Sequence, residues 1–460
     1  MRLDRGRRGV IDGTNAFAGE RVLVVGLGVA GRAAARVLAE EGAEVRVTEE
    51  RAEAIGAREI RELGVEVLAG GHEPRHLDGV TAVVASPGVP EGAPILRWAA
   101  DRGVAIWSEL DVGARLCHVP FVAVTGTNGK STTTMMVAAM MRAAGLDASA
   151  CGNIGHAFSL AAREGHAALA VEASSFQLRF HHWLHPRVSV LLNVAQDHVD
   201  WHGSFERYAE AKARVYARQN ESDVHVGNAD DDRGREISVG APCPVVWFRM
   251  GPPGDGEIGF VGRELVARVD GEARLGTPVS DAVGFRADAA AAAAAALSFG
   301  LAPGAVAEGL RRTVPLPHRG EEVARVGSVT FLDDSKATNV HAALHALSGR
   351  HDVVLIAGGV AKGVDLSPLA EAAPALSAVV AIGEAAPEIA VLFESKVAVS
   401  KAGSIEEAVR EGFELAPRGG TVLLAPACAS WDMFRDYAER GERFARAARR
   451  LAEEMADGSR

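Results

Sequence analysis

Cysteine, surplus positive charge and long apolar runs are all scarce in this chain, and each shortage removes a class of function. Four cysteines (Cys117, Cys151, Cys243 and Cys428) are scattered without metal-ligand spacing. That argues against a disulfide scaffold or a zinc ribbon and fits a reduced, cytoplasmic protein. With 60 acidic against 49 basic residues the formal net charge is -11. Such a chain is poorly suited to coat nucleic acid or an anionic membrane. Any phosphate it binds must be met by local positive groups. The alanine run at 289–296 is too short and too weakly apolar to span a bilayer, and reads as a closely packed helix. Arg2, Arg5, Arg7 and Arg8 make the start basic, but no apolar signal core follows, so the opening reads as a disordered extension.

The rest of the composition is that of an ordinary soluble protein, 48% hydrophobic and 24% charged. At roughly 150 residues per domain the length suggests about three domains. Breaks near Cys117 and at Pro315-Leu316-Pro317 divide the chain into residues 1–117, 118–316 and 317–460. Strand-like runs fall at 22–25, 44–48 and 80–85, at 121–124, 168–171 and 188–193, and at 329–332, 353–357, 378–382 and 421–424, with helix-like runs between them. This alternation predicts an α/β chain with parallel sheets in all three segments: a Rossmann-like first domain, a central phosphate-loop domain and a Rossmann-like last domain. Ser404-Ile405-Glu406-Glu407 predicts a helix start with a capping box.

The densest signal is Thr125-Gly126-Thr127-Asn128-Gly129-Lys130-Ser131-Thr132, between a strand-like run and a helix-like run that stops at Gly145. Glycines let backbone N–H groups turn inward, the helix N-terminus adds positive potential, and a lysine reaches the outer phosphates. The Ser131 or Thr132 hydroxyl suits a magnesium ion. The first domain opens with Gly26-Leu27-Gly28-Val29-Ala30-Gly31 after a strand, a turn that holds a dinucleotide, another diphosphate, or nothing. Glu49, where a ribose-binding acid would sit, keeps nicotinamide among the options. Ser86-Pro87-Gly88 is expected beside the same sheet edge.

Glu172 ends a buried strand in Val171-Glu172-Ala173-Ser174-Ser175-Phe176-Gln177, where a carboxylate suits a hard cation. His198, in Asn193-Val194-Ala195-Gln196-Asp197-His198, reads as a metal ligand, a substrate contact or a structural histidine. Lys212 reads as a solvated helix lysine. Three polar stretches follow strands in the last segment, where open α/β sheets place ligands: Asp333-Asp334-Ser335-Lys336-Ala337-Thr338-Asn339, Gly358-Gly359-Val360-Ala361-Lys362-Gly363 and Pro426-Ala427-Cys428-Ala429-Ser430. Rival readings are a nicotinamide oxidoreductase built on the first glycine turn and a nucleotide sensor without catalysis.

From about residue 22 to 444 these motifs together resemble the Mur ligases of peptidoglycan precursor synthesis. The stretches Glu172 to Gln177, Asp334 to Asn339 and Pro426 to Ser430 are similar to those of its D-glutamate-adding branch. The resemblance implies an ATP- and Mg2+-dependent amide ligase acting on UDP-N-acetylmuramoyl-L-alanine and D-glutamate through an acyl phosphate, and the chain is expected to act as a monomer. It implies a UDP-sugar site at Gly26, Leu27, Gly28, Gly31, Thr48, Glu49, Ser86 and Gly88, with Asn153 and Ser174 from the central domain. ATP is assigned to Gly126, Thr127, Asn128, Gly129, Lys130, Ser131 and Thr132, with His318, Arg319, Asp334 and Lys336. Lys130, Glu172, His198 and Lys212 become the catalytic group. Ser131 and Glu172 are placed around a first magnesium, and His198 and a carbamylated Lys212 around a second. D-glutamate falls to Thr338, Lys362, Ser430 and Tyr437. Members often carry asparagines before the alanine-rich helix; here the segment is Phe285-Arg286-Ala287-Asp288.

Overall fold

The computed structural model describes residues 15–50, 64–269 and 271–457. The basic start at Arg2, Arg5, Arg7 and Arg8 lies outside the described residues. The chain gathers into two compact units. One comprises Met1–Val194, Glu206–Val279 and Ala287–Thr313; the other comprises Ala195–Phe205, Ser280–Arg286 and Val314–Arg460.

The first unit holds two sheets. Strands β1 (Arg21–Val25), β2 (Glu44–Glu49), β3 (Glu66–Ala69), β4 (Ala82–Ala85) and β5 (Ala105–Trp107) form a parallel sheet in the order β3-β2-β1-β4-β5. Val22, Leu23, Val24 and Val25 are all buried, as a parallel strand covered on both faces requires. The order reverses between β1 and β4, and a crevice opens at that point of a doubly wound sheet.

The second sheet is built around β6 (Phe121–Thr125), with β7 (Ala148–Gly152), β8 (Ala168–Glu172), β9 (Val188–Leu191), β10 (Val224–Asn228), β11 (Val245–Phe248), β12 (Glu257–Val261), β13 (Glu264–Ala267) and β14 (Ala273–Gly276). Its order is β14-β13-β12-β11-β10-β9-β6-β8-β7. Strands β6 to β12 pair in parallel, but β12-β13-β14 is an antiparallel meander. The expectation of a wholly parallel sheet fails there, because short connections can join only antiparallel neighbours. The helix Val283–Phe299 carries the alanine run, and Ala289 to Ala296 are each fully buried, as expected.

The second unit contains the third sheet: β15 (Glu321–Val326), β16 (Val329–Asp333), β17 (Val353–Gly358), β18 (Leu376–Ile382), β19 (Ala398–Ala402) and β20 (Thr421–Leu424), ordered β15-β16-β20-β17-β18-β19. All pairings are parallel except the β15–β16 hairpin, a second departure from the expected pattern. The helix Ile405–Leu415 is capped as foreseen at Ser404, whose Oγ accepts from Glu407 N at 3.1 Å. The reciprocal bond goes one residue further back, from Gly403 N to Glu407.

The helix Lys130–Ala143, which leaves the glycine loop, is braced by the helix Pro303–Arg312. A Cβ on Gly309 would stand 2.5 Å from Met140 Cα, so the two helices meet nearly backbone to backbone. Gly309→Ala should cost about 1–3 kcal/mol through overpacking, read as a lower urea midpoint; an unchanged midpoint would show that the two helices have room to part.

Candidate active site

Strand β1 is followed by Gly26 (φ 86°), whose N–H donates to Thr48 O at 2.9 Å and whose carbonyl accepts from Ser86 Oγ at 2.8 Å. The glycine turn is thus tied to the ends of β2 and β4. Leu27 N donates to Glu49 Oε2 at 2.7 Å. A cavity of about 930 Å³ opens here, lined among others by Gly26, Leu27, Gly28, Glu49, Ser86, Gly88 and Asn153. Three expected residues lie back from it. Gly31 packs its helix on the turn, with room for no Cβ because Gly26 O would be 2.0 Å away. Thr48 is fully buried, its Oγ1 against His72 Nδ1 at 2.9 Å and His76 Nδ1 at 3.2 Å. Ser174 caps the helix Ser175–Phe180, its Oγ accepting from Gln177 N. Gln177 lines the cavity in its place, three residues along in the same motif.

Strand β6 delivers the phosphate loop. Gly126 (φ 155°) and Gly129 (φ 87°) adopt backbone angles that side chains resist. Asn193, at the end of β9, holds the loop from beside: its carbonyl accepts from Thr127 N at 2.9 Å and its Oδ1 from Asn128 N at 2.9 Å. Lys130 Nζ donates to the carbonyls of Gly126 (2.9 Å) and Thr127 (2.8 Å). Lys212 is not solvated, as local sequence suggests, but 1% exposed. Its Nζ donates to the same Gly126 carbonyl at 2.7 Å and lies 4.4 Å from the centre of the Tyr208 ring. Tyr208 in turn donates to Thr127 Oγ1 at 3.0 Å. A helix position cannot reveal such burial; only the packing of Phe205–Ala213 produces it.

Glu172 closes β8 beside this loop. Its Oε1 accepts from Asn153 Nδ2 at 2.9 Å, while Oε2 is buried with no hydrogen-bond partner, as is Thr132 Oγ1. An orphaned carboxylate oxygen costs free energy unless a cation or water meets it. Among the described residues no group of three or more acids, histidines or cysteines forms a metal cage. A carboxylate and a hydroxyl, completed by water and phosphate oxygens, are what magnesium accepts. Asp288 is a further residue that sequence reasoning left unassigned: a Cβ on Gly129 would stand 2.0 Å from its Oδ1.

In the second unit, loops after β16, β17 and β20 converge. Val360 and Ala429 exchange two backbone hydrogen bonds of 2.9 Å, joining the Lys362 loop to the Ser430 loop. Asp333 Oδ2 accepts from His318 Nδ1 at 2.6 Å, and Lys336 N donates to His318 O at 3.2 Å. Lys336 Nζ sits 3.6 Å from the centre of the Tyr437 ring. Arg440, fully buried, donates to Ser335 Oγ and O and to Cys428 O, bracing two of the loops.

Lys362 is buried and ion-paired with Asp197, which also accepts from Asn339 Nδ2 at 3.0 Å and from His198 N at 2.9 Å. Burial alone would raise the Asp197 carboxyl, but Lys362, His198 and Asn339 together hold it below the usual carboxylate range. Asp197 was only a neighbour in the sequence; its partner stands 165 residues away. His198, His318, Lys362 and Ala427 all take left-handed backbone angles, with φ from 52° to 61°. Such strain persists only where the surroundings over-determine it, and it gathers at functional loops.

Two measurements check this geometry. Asp197→Ala strands the Lys362 ammonium and should cost on the order of 3 kcal/mol of stability, with most of it regained on adding Lys362→Met; equal losses in both variants would show that the pair is not coupled. Burial pushes Asp334 up to about 7, with Arg319 and Arg350 pulling against it and Asp333 adding to the rise. Its folded pKa is thus above its ordinary value, so its contribution is present at low pH and is lost as pH climbs toward neutrality. Asp334→Asn should therefore gain stability over the parent between about pH 5 and about pH 8, read from urea midpoints; a gap that does not widen with pH contradicts the assignment.

Three family models match the chain: "Mur ligase MurD-like, N-terminal domain" over residues 20–108, "Mur ligase middle domain" over 124–252 and "Mur ligase, glutamate ligase domain" over 318–428. A protein of Thermobifida fusca named UDP-N-acetylmuramoylalanine–D-glutamate ligase is 43% identical, the match covering 94% of this chain and 99% of that one. Its namesake in Streptomyces coelicolor is 40% identical over 95% and 99%. The solved structure of a pseudomurein peptide ligase type C from Methanothermus fervidus shares the fold, with a TM-score of 0.60 at 18% identity and coverage of 95% and 100%. The chain belongs to the Mur ligase family, on the branch whose members carry the name UDP-N-acetylmuramoylalanine–D-glutamate ligase.

Proposed function

We propose that this chain is an ATP-dependent ligase that adds D-glutamate to UDP-N-acetylmuramoyl-L-alanine during peptidoglycan precursor synthesis. The names carried by relatives over nearly the whole chain support the substrates. The observation that carries the chemistry is the pair of lysines, Lys130 and Lys212, directed at one carbonyl of a phosphate loop beside the orphaned Glu172 oxygen. The working division is residues 1–117 for the UDP-sugar, 118–316 for ATP and 317–460 for D-glutamate, in a monomer. Among the described residues no helix is long and apolar enough to cross a membrane, and the reading assigns the work to the cytoplasm.

A carboxylate is a poor electrophile and must first be activated. In the proposed reaction the alanyl carboxylate attacks the γ-phosphate of ATP, ADP leaves, and an acyl phosphate forms. The amine of D-glutamate then attacks the acyl carbon, phosphate departs, and an amide remains. Loop N–H groups and Lys130 hold the phosphate oxygens and take up charge as it moves toward ADP. Magnesium, held by Glu172 with the Ser131 or Thr132 hydroxyl, would supply further charge neutralisation there. Carbamylation would turn Lys212 from a buried cation into a metal-binding anion. His198 is assigned to orient or deprotonate the attacking amine, or to bind metal. Asn153 orients the sugar substrate, and Thr338, Lys362, Ser430 and Tyr437 the glutamate.

Phosphate release from ATP with UDP-N-acetylmuramoyl-L-alanine should require D-glutamate, and a panel of L- and D-amino acids should not replace it. Lys130→Ala should lower the rate by about a hundredfold or more. Near-normal ADP production in that variant, or a preference for L-alanine or a diamino acid, would overturn the reading.

A further inference from the structure

The helix Val340–Leu347 carries a feature that the ligase reaction does not use. His341 and His345 are four residues apart, so they stack on one face. Their Nε2 atoms are 3.2 Å apart. The ring centroids are 4.4 Å apart, with the planes at 52°. Two ring nitrogens face each other this closely either because one donates a hydrogen bond to the other or because both lone pairs can converge on a cation. Zinc–imidazole bonds are about 2.0–2.1 Å long, and a tetrahedral angle between two of them sets the nitrogens about 3.3–3.4 Å apart. The pair already stands close to that bite.

The supporting helix is fixed at its start, where Asn339 Oδ1 accepts from Ala342 N at 2.9 Å. His341 is half-buried and His345 exposed. Burial, with His345 adding to it, holds the His341 ring down to about 4, so at neutral pH the ring is uncharged and one of its nitrogens offers a lone pair. No larger cluster of histidine, cysteine and acid joins the pair among the described residues, which leaves the other coordination positions to water. Imidazole donors select zinc, nickel or copper(II) over magnesium.

We propose that His341 and His345 form a two-nitrogen site for a borderline divalent transition ion, clamping the helix that follows the Asp334-to-Asn339 loop. Calorimetric titration of the untagged chain with zinc chloride tests it, with magnesium chloride as the control. One zinc should bind per helix site. The affinity should fall by about tenfold or more in His345→Ala, and equally in His341→Ala, as a chelate becomes a single ligand. Zinc should raise the melting temperature of the parent but not of His345→Ala. Copper(II) paramagnetic resonance should show two equivalent nitrogens in the parent and not in the variants. The chain has 15 histidines, so zinc uptake alone does not suffice. Equal zinc affinity in parent and His345→Ala, or no binding by the parent, overturns the proposal. His345 is exposed, so its alanine variant should fold, which circular dichroism checks.

Discussion

Two lysine ammonium groups converge on the carbonyl oxygen of Gly126, and the glycine loop is arranged around that convergence. Like charges sharing one acceptor in a part-buried setting raise each other's cost. The arrangement persists because β6, the glycine loop and the helix Lys130–Ala143 fix that carbonyl, while Tyr208 and Asn193 hold the loop from the sides. In the proposed function a polyphosphate at the helix N-terminus would relieve that cost. In a chain of net charge -11, the two lysines bring positive charge to the loop. The orphaned oxygen of Glu172 nearby has the complementary need, a cation.

The second unit solves a different problem by related means. Its loops carry left-handed residues, each of which costs on the order of 1–3 kcal/mol, and buried charge, which is costlier still unless paired. Hydrogen bonds to buried partners hold them: Asp197 to Lys362 and Asn339, Asp333 to His318, Arg440 to Ser335 and Cys428. Polar groups so held are pre-oriented, which would suit the proposed alignment of the amine and two carboxylates of D-glutamate. The Asp197–Lys362 pair leaves the charge of that lysine compensated within the protein.

The legible parts of this chain were those written locally. The phosphate loop, the first glycine turn, the alanine helix and the main parallel strands each follow from a run of adjacent residues and came out where the pattern put them. The antiparallel strands β13, β14 and β15 were missed because short segments such as Glu264–Ala267 carry little periodicity: Leu265, Val266 and Ala267 are all buried, with no alternation to read. Local pattern alone reads Lys212 as a solvated helix lysine, because helix propensity says nothing about burial; only the family resemblance drew it into the site. Asp197, Asp288 and Arg440 were invisible for the same reason: their roles are set by partners far along the chain. Gln177 was within reach, three residues from the Ser174 chosen in its place.

The central claim is that a carboxylate is activated by taking phosphorus from ATP at the Lys130 loop. UDP-N-acetylmuramoyl-L-alanine labelled with oxygen-18 in its carboxylate, incubated with the chain, ATP, magnesium and D-glutamate, tests this directly by mass spectrometry of the released phosphate. The account predicts one labelled oxygen in each phosphate. Amide product accompanied by unlabelled phosphate would contradict it.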